Sequence, residues 1–284
     1  MNALRRSAVA ILATFALSAC GAQPGTDTTA APAPGQSATP TAAARDQLAR
    51  RGDLPASNRA TRPTPTRTTA SPRPRTTTAS NDASRLRTLP STTTQVIVVK
   101  ANGYGTSNGT LQAFGKRNGT WTPAFGSMTA KLGTKGFKDS KVEGDLTTPT
   151  GVYSLGGTMY GIAANPGVRY SYHKLVADDW WNENPATAGY NSFFHGADPG
   201  GASEALWETD PQYRYFAVIN YNIPVRKADP PRGSGIFLHV MVPGRSTAGC
   251  VALAESDLVK VLRWLDPAAK PRIVMAPSSE LDRY

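Results

Sequence analysis

The composition of the chain changes abruptly near residue 94, and this break limits what can fold. Residues 21–94 consist mostly of Ala, Thr, Pro, Ser, Gly and Arg, with almost no large apolar side chains. Such a segment cannot bury enough apolar surface to offset the entropy lost on folding. We therefore predict a disordered linker over 21–94, a folded domain over 95–276 and a tail over 277–284. As a coil, the linker would span on the order of 50 Å.

A short apolar stretch, residues 8–19, follows Arg5 and Arg6 at the N-terminus. Its length of about a dozen residues fits the core of a signal peptide and is too short to cross a bilayer as a stable helix. It ends in Leu-Ser-Ala-Cys at 17–20, which resembles the lipobox of bacterial lipoprotein signals. The resemblance implies cleavage before Cys20, lipidation of its thiol and anchoring at the outer face of the cell membrane, with the domain working in the cell wall. An ordinary secretory signal, cut nearby at a small residue, is the alternative.

The net charge of +11 is concentrated in the N-terminal third of the chain. Residues 21–94 contain ten Arg against four Asp, whereas the chain from Gln95 onward carries only +3. The positive charge thus belongs to the predicted linker and not to a folded groove. We predict anionic lipid headgroups or wall polymers as its counter-ions, and no nucleic-acid partner.

The sequence after residue 94 carries the signals of a mainly β domain. Segments rich in β-branched and aromatic residues predict strands at 95–99, 111–115, 120–125, 215–221 and 272–275. Asn-Gly pairs predict turns at 102–103, 108–109 and 118–119, the last of which joins a hairpin. We therefore predict a β-sandwich of mixed strands, or a partly closed barrel.

One helix is predicted near the C-terminus. Ser256 is its predicted N-cap, Asp257 lies in the first turn and Pro267 ends it. Apolar residues repeat at helical spacing between them, at Leu258, Val261, Leu262 and Leu265.

Residues 160–211 are rich in aromatic residues, Asn, Gly and Pro, and predict long loops with short strands. Their rings could either line a substrate groove or simply cover the core.

The stretch GSGIFLHVMVPGRSTAGCV, residues 233–251, carries the residues of a Cys-His nucleophile. His239 ends an apolar run, and Cys250 follows a Pro-Gly turn and Gly249. An imidazole can take the thiol proton, and the thiolate attacks carbonyl carbon. Gly249 lacks a Cβ, so that backbone N–H groups at this turn can point at an oxyanion. If Cys20 carries lipid, Cys250 is a lone exported thiol, which is either used or buried and inert.

Two other histidines, His173 and His195, are candidate bases on chemistry alone. We favour His239 because one turn separates it from Cys250. One thiol with one nearby imidazole falls short of a zinc site, and no phosphate-binding loop follows a strand, so we expect neither metal nor cofactor.

The domain resembles the L,D-transpeptidase (YkuD-type) catalytic domain. The resemblance rests on Thr-Pro-Thr-Gly at 148–151, the run ending at His239, Thr-Ala-Gly-Cys at 247–250 and the helix that follows. It implies a β-sandwich fold and attack by Cys250 on the third-residue carbonyl of a peptidoglycan stem tetrapeptide. The terminal D-alanine leaves, and an amine from a neighbouring stem then gives a 3→3 crosslink.

The resemblance also implies roles for neighbours of the thiol. The backbone carbonyl of Val240 would orient His239, and the N–H groups of Gly249 and Cys250 would bind the oxyanion. We predict Arg245 and Thr247 as substrate-binding residues.

The chain departs from the family pattern at three positions. Ala248 and Ala252 replace a His and an Arg or Asn that many members carry, and Val240 stands where Gly is common. Two alternatives stay open: an L,D-carboxypeptidase or amidase on the same scaffold, and a non-catalytic wall-binding lipoprotein.

Overall fold

The computed structural model describes residues 80–284. The predicted signal peptide, Cys20 and the linker up to residue 79 lie outside the described residues. Within 80–284, no helix has the length and apolar character needed to cross a membrane.

The described chain is built mainly of β-strands. The strands are β1 Gln95–Ala101, β2 Asn108–Arg117, β3 Thr120–Pro123, β4 Met128–Lys131, β5 Phe137–Lys138, β6 Thr148–Pro149, β7 Gly151–Gly161, β8 Ser171–Lys174, β9 Asp179–Asn182, β10 Ser192–His195, β11 Glu204–Ala205, β12 Phe216–Ile219, β13 Phe237–Val240, β14 Val251–Leu253 and β15 Arg272–Pro277. The helices are α1 Asp82–Arg85 and α2 Glu255–Trp264, with 3-10 turns at Leu206–Glu208, Pro267–Ala269 and Ser278–Arg283.

The main sheet runs in the order β1-β15-β7-β12-β13-β14-β4-β2, with β3 and β8 attached. The pairs β1–β15, β13–β14 and β7–β8 are parallel, and the other pairs of this sheet, including β1–β2, are antiparallel. The prediction of a mainly β fold with mixed strands is confirmed. The β1–β2 pairing joins the two layers of the predicted sandwich into one sheet that closes on itself.

The enclosed core holds the inward-facing residues of the strands and one face of α2. Leu258, Val261 and Leu262 are fully buried there, as their spacing predicts. The predicted N-cap is wrong: Ala254 caps the helix without a side-chain hydrogen bond, and Ser256 lies inside the first turn. The cause is the direct passage from β14 into α2, which starts the helix at Glu255.

Of the predicted Asn-Gly turns, the one at 118–119 is confirmed and the one at 108–109 is wrong. Asn118 and Gly119 have positive φ angles of 48° and 78° and connect β2 to β3, as the pair predicts. Asn108 and Gly109 instead begin β2, because that strand extends to pair with β4. The predicted turn at 108–109 is therefore wrong.

The folded part begins before Gln95, which corrects the predicted boundary of the linker for residues 80–94. Asn81 caps α1 through a reciprocal capping box, and Ala83 is fully buried. The outer face of β1 and β15 supplies the apolar surface that this segment itself lacks. The predicted tail at 277–284 packs there too, through Leu281.

A smaller sheet of β10, β9 and β11 covers the outer face of β12 and β13. Trp181 of this sheet packs edge-on against Phe237, with ring centroids 5.0 Å apart. The sequence allows two interpretations of the rings in residues 160–211: lining a substrate groove, or covering the core. The described rings of this sheet fit the second, because they cover the main sheet. We call β9–β11 and the segment through Tyr213 the aromatic cover.

Candidate active site

Cys250 and His239 lie on neighbouring parallel strands. Leu238 of β13 pairs with Val251 of β14, so Cys250 is level with Phe237, and His239 lies about two residues, or roughly 7 Å, further along. Cys250 and Phe237 pack in the same cluster outside the closed core. Because alternate residues of a strand share a face, His239 is on that face as well.

The loop between β13 and β14, residues 241–250, brings the chain back to the end of the sheet where β13 begins, so that the two strands run parallel. Thr247 fixes it against the end of β4: its N–H donates to Leu132 O (2.9 Å), and its carbonyl accepts from the N–H of Thr134 (2.9 Å). These contacts set where β14 begins, and therefore where the thiol lies.

The Thr247 hydroxyl shapes the turn before Cys250. Its Oγ1 accepts from the N–H of Gly249 (3.1 Å) and donates to the carbonyl of Cys250 (2.7 Å). The predicted oxyanion donor at Gly249 is thus engaged within the turn in this structure. Gly249 itself has φ 154°, and a Cβ there would lie 2.8 Å from Thr147 O, so only glycine fits.

In this structure the Cys250 thiol is hydrogen-bonded to two backbone groups. Its Sγ donates to Gly235 O (3.1 Å) and accepts from the N–H of Phe237 (3.3 Å). Burial raises the pKa of the thiol above its ordinary value, and the negative charge of Glu204 raises it further. The thiol is therefore protonated until another group takes the proton.

His239 is held in the neutral form that a base requires. Its Nδ1 lies 2.8 Å from Val240 O, and a carbonyl can only accept, so the proton is on Nδ1 and Nε2 is free to accept one. Burial lowers the pKa of His239 to about 4, against the opposing effect of the Val240 bond. Nε2 is buried and has no hydrogen-bond partner among the described residues.

A cavity of about 220 Å³ opens beside the imidazole. It is lined by His239 and by Arg245, Thr247, Ala248 and Ala252, among others. Both alanines of the lining, Ala248 and Ala252, stand at positions where the family pattern has larger residues. Arg245 and Thr247 therefore line the same cavity as the imidazole, and Arg245 lies on the exposed rim of that cavity.

The aromatic cover shields the other side of the thiol. Leu206 and Tyr213 pack with Cys250, which is 7% exposed. Tyr213 also meets His239 edge-on, with centroids 5.9 Å apart, and donates to the Glu204 carboxyl group. The cover therefore shields this side of the thiol from solvent.

Sequence reasoning missed the charged groups around the thiol. Lys141, whose side chain is 3% exposed, pairs with Asp145 (2.9 Å) and lies next to Gly249. Burial raises the pKa of Glu183, and the neighbouring Glu204 raises it further. The charged run at 141–146 gives the only sequence signal for Lys141, and it is typical of an exposed turn.

The other two histidines bind a different partner. His173 Nε2 and His195 Nδ1 each lie 2.8 Å from an oxygen of Asp179, which is fully buried. This places His195 in the aromatic cover, bonded to Asp179 and not to Cys250. Within the described residues, no group of three His, Cys, Asp or Glu side chains could hold a metal ion.

Comparison with known proteins gives a family and two distant structures. No curated protein matches the chain. The helical cell shape determining protein Pgp2 of Campylobacter jejuni is similar at 18% identity (64% of this chain, 48% of that one, TM-score 0.33). Its K307A mutant is similar at 17% (66% and 52%, TM-score 0.36), so the chain spans about half the length of these proteins.

The family model of the YkuD L,D-transpeptidase catalytic domain matches residues 95–274. That range contains both strands of the site and the loop between them. The resemblance seen in the sequence is confirmed: this chain belongs to the L,D-transpeptidase family of cell-wall proteins, with a YkuD catalytic domain.

Proposed function

We propose that this protein is a peptidoglycan L,D-transpeptidase that forms 3→3 crosslinks through a thioester on Cys250. The supporting observation is the placement of Cys250 and His239 on one face of adjacent parallel strands. The Val240 carbonyl leaves the Nε2 of His239 as an acceptor without a partner among the described residues. A thiol and an acceptor imidazole held in this way are the parts of a cysteine acyltransferase.

In the proposed first step, the thiol turns from Gly235 O toward the imidazole and gives its proton to Nε2. Sγ bonds to the stem carbonyl carbon, and the backbone N–H of Cys250 stabilises the oxyanion. The C–N bond to the terminal D-alanine then breaks, and the imidazolium returns the proton to the leaving amine. Val240 O stabilises the transient imidazolium, as a carboxylate does in a serine triad.

In the second step, an amine from a neighbouring stem attacks the thioester, and its proton passes to His239 as the thiolate leaves. The high thiol pKa and low imidazole pKa disfavour a resting ion pair. Proton transfer is therefore proposed to accompany attack, in a site that the aromatic cover shields on one side.

The test is product analysis with the full chain and defined muropeptides by mass spectrometry. Crosslinked dimers are the expected product, and they should vanish in Cys250→Ser and fall steeply in His239→Gln. Shortened monomers without dimers would show that water is the acceptor, and would replace transfer by hydrolysis.

We also propose that Cys20 is lipidated and anchors the domain at the outer face of the membrane. The proposal rests on the Leu-Ser-Ala-Cys sequence after the apolar stretch. Mass spectrometry of the N-terminal peptide should show a diacylglyceryl adduct and membrane fractionation should recover the protein. A soluble Cys20→Ala variant is the matched control, and an unmodified, released wild type would refute the anchor.

A further inference from the structure

A lysine is buried beside the turn that carries the thiol. The side chain of Lys141 is 3% exposed, and its ammonium group donates to Asp145 (2.9 Å) and to the carbonyl of Val142 (3.4 Å). Its Cε lies 3.4 Å from the position that a Cβ of Gly249 would occupy. The lysine side chain therefore packs directly against the residue before Cys250.

Burying this cation is costly unless the fold pairs it and holds it in place. Asp145 does both, since it also accepts from the N–H of Val142 (2.9 Å) and from the N–H and hydroxyl of Thr147 (3.1 and 2.7 Å). Burial raises the pKa of Asp145, but hydrogen bonds from Val142 N–H and Lys141 lower it overall, so the carboxylate is charged. Thr147 in turn packs its carbonyl against Gly249. The ion pair is thus built into the wall of the turn.

Asp145 does not cancel the charge of Lys141 completely, because its two oxygens are shared among five donor groups. One of these donors is a second cation, Lys138 (3.2 Å), whose side chain is 44% exposed. Two lysines against one carboxylate leave a net positive charge. In the interior of a protein, such a charge acts on its neighbours more strongly than it would in water.

Cys250 needs a nearby cation when it becomes an anion. The titratable groups around the thiol are Glu183, Glu204, Tyr213, His239 and Lys141. Burial raises the pKa of the thiol, Glu204 and Glu183 raise it further, and Lys141 lowers it. His239 is neutral until it takes the thiol proton. Lys141 is therefore the charge in this set that favours the thiolate.

From this placement we propose that the ammonium group of Lys141 stabilises the negative charge that forms at Cys250 when the thiol loses its proton and attacks. The role in catalysis rests on the proposed function. Lys141 bonds to neither the sulfur nor the substrate in this role, and its charge acts across the turn at Gly249.

The test is the rate at which iodoacetamide alkylates Cys250 in the full chain, followed over a range of pH by the mass of the peptide that contains this residue. Alkylation reports the thiolate, because the thiolate is the nucleophile. Lys141→Met keeps the length of the side chain and removes its charge. Lys138→Gln removes the exposed cation that binds the same carboxylate, and is the matched control.

Lys141→Met should alkylate about tenfold more slowly than wild type while the thiol is mostly protonated, since losing a nearby positive charge raises the pKa of an acid. Lys138→Gln should stay within about twofold of wild type. Asp145→Asn should alkylate faster than wild type, because it keeps the cation and removes the counter-ion. This last variant tests the proposal even if Lys141→Met fails to fold.

A purely structural role would give a different pattern. If the ion pair only holds the turn in place, Lys141→Met and Asp145→Asn should both loosen the site, and their alkylation rates should change in the same direction as the Tm falls. That result, or a rate that is the same with and without the charge of Lys141, would overturn the proposal.

Incubation with a disaccharide tetrapeptide separates this proposal from the proposed function. A thioester on Cys250 that forms equally fast in wild type and Lys141→Met would refute the role of Lys141 and leave the transpeptidase standing. Alkylation that depends on Lys141, with no thioester in wild type, would refute the transpeptidase and leave the effect of the charge on the thiol standing.

Discussion

Removing the Thr247 hydroxyl should slow the reaction of Cys250 while leaving the fold intact. Thr247→Val keeps the side-chain shape and deletes both hydrogen bonds of the turn: the one that Gly249 N–H donates to Thr247 Oγ1, and the one that Thr247 Oγ1 donates to Cys250 O. Each such bond is worth about 0.5–1.5 kcal/mol net, so the pair stabilises the turn by about 2 kcal/mol. Lost at the transition state, that energy corresponds to roughly a 30-fold slower acylation.

The assay is the rate at which a carbapenem forms a covalent adduct on Cys250, followed by intact-protein mass spectrometry. Thr247→Ser, which retains the hydroxyl, is the matched control and should react within about threefold of wild type. Thermal unfolding of each variant is measured in parallel. A purely structural loss of about 2 kcal/mol would lower the Tm by roughly 4–8 °C.

Two results would refute this reasoning. Thr247→Val reacting at the wild-type rate would show that the turn does not depend on the hydroxyl. An equal loss in Thr247→Ser would show that side-chain shape, and not hydrogen bonding, positions the thiol.

Four further outcomes follow from the site. Gly249→Ala should lose most acylation, measured by the same adduct assay, because its Cβ would overlap a backbone oxygen. The pKa of His239 falls from 6.5 to about 4 on folding, so stability present above about pH 6.5 should be lost as the pH falls toward 4. Free energies of unfolding from urea titrations should show that His239→Asn loses about 3 kcal/mol less stability than the wild type over this pH range. Arg245→Ala should raise KM with little change in kcat, and an unchanged KM would remove it from substrate binding. His195→Gln should lower the Tm while Cys250 still reacts at nearly the wild-type rate; loss of reactivity without loss of stability would contradict its structural role.

The sequence predicts the strands and the two candidate catalytic residues because those signals are local. The β-branched run at 95–99 forms β1, and Asn118-Gly119 supplies the positive φ angles of a tight hairpin. The histidine and cysteine stand out by residue type and spacing, and the family match covers both.

The resting state of the thiol depends on distant parts of the chain and leaves no local pattern. Gly235 O contacts Cys250 through the pairing of β13 with β14, and the aromatic cover contacts it through the packing of β9–β11 over β13. Lys141 and Asp145 look like an exposed turn in sequence, and long-range packing buries them. The same is true of residues 80–94, whose few apolar side chains find a surface made by β1 and β15.

The most direct test of the account is the mass of the full chain after brief incubation with a disaccharide tetrapeptide and acid quenching. We predict an adduct equal to the stem fragment minus D-alanine, mapped to Cys250 and absent in Cys250→Ser. An unmodified Cys250 under conditions where product accumulates, or an adduct on another residue, would contradict the proposal that this thiol is the nucleophile.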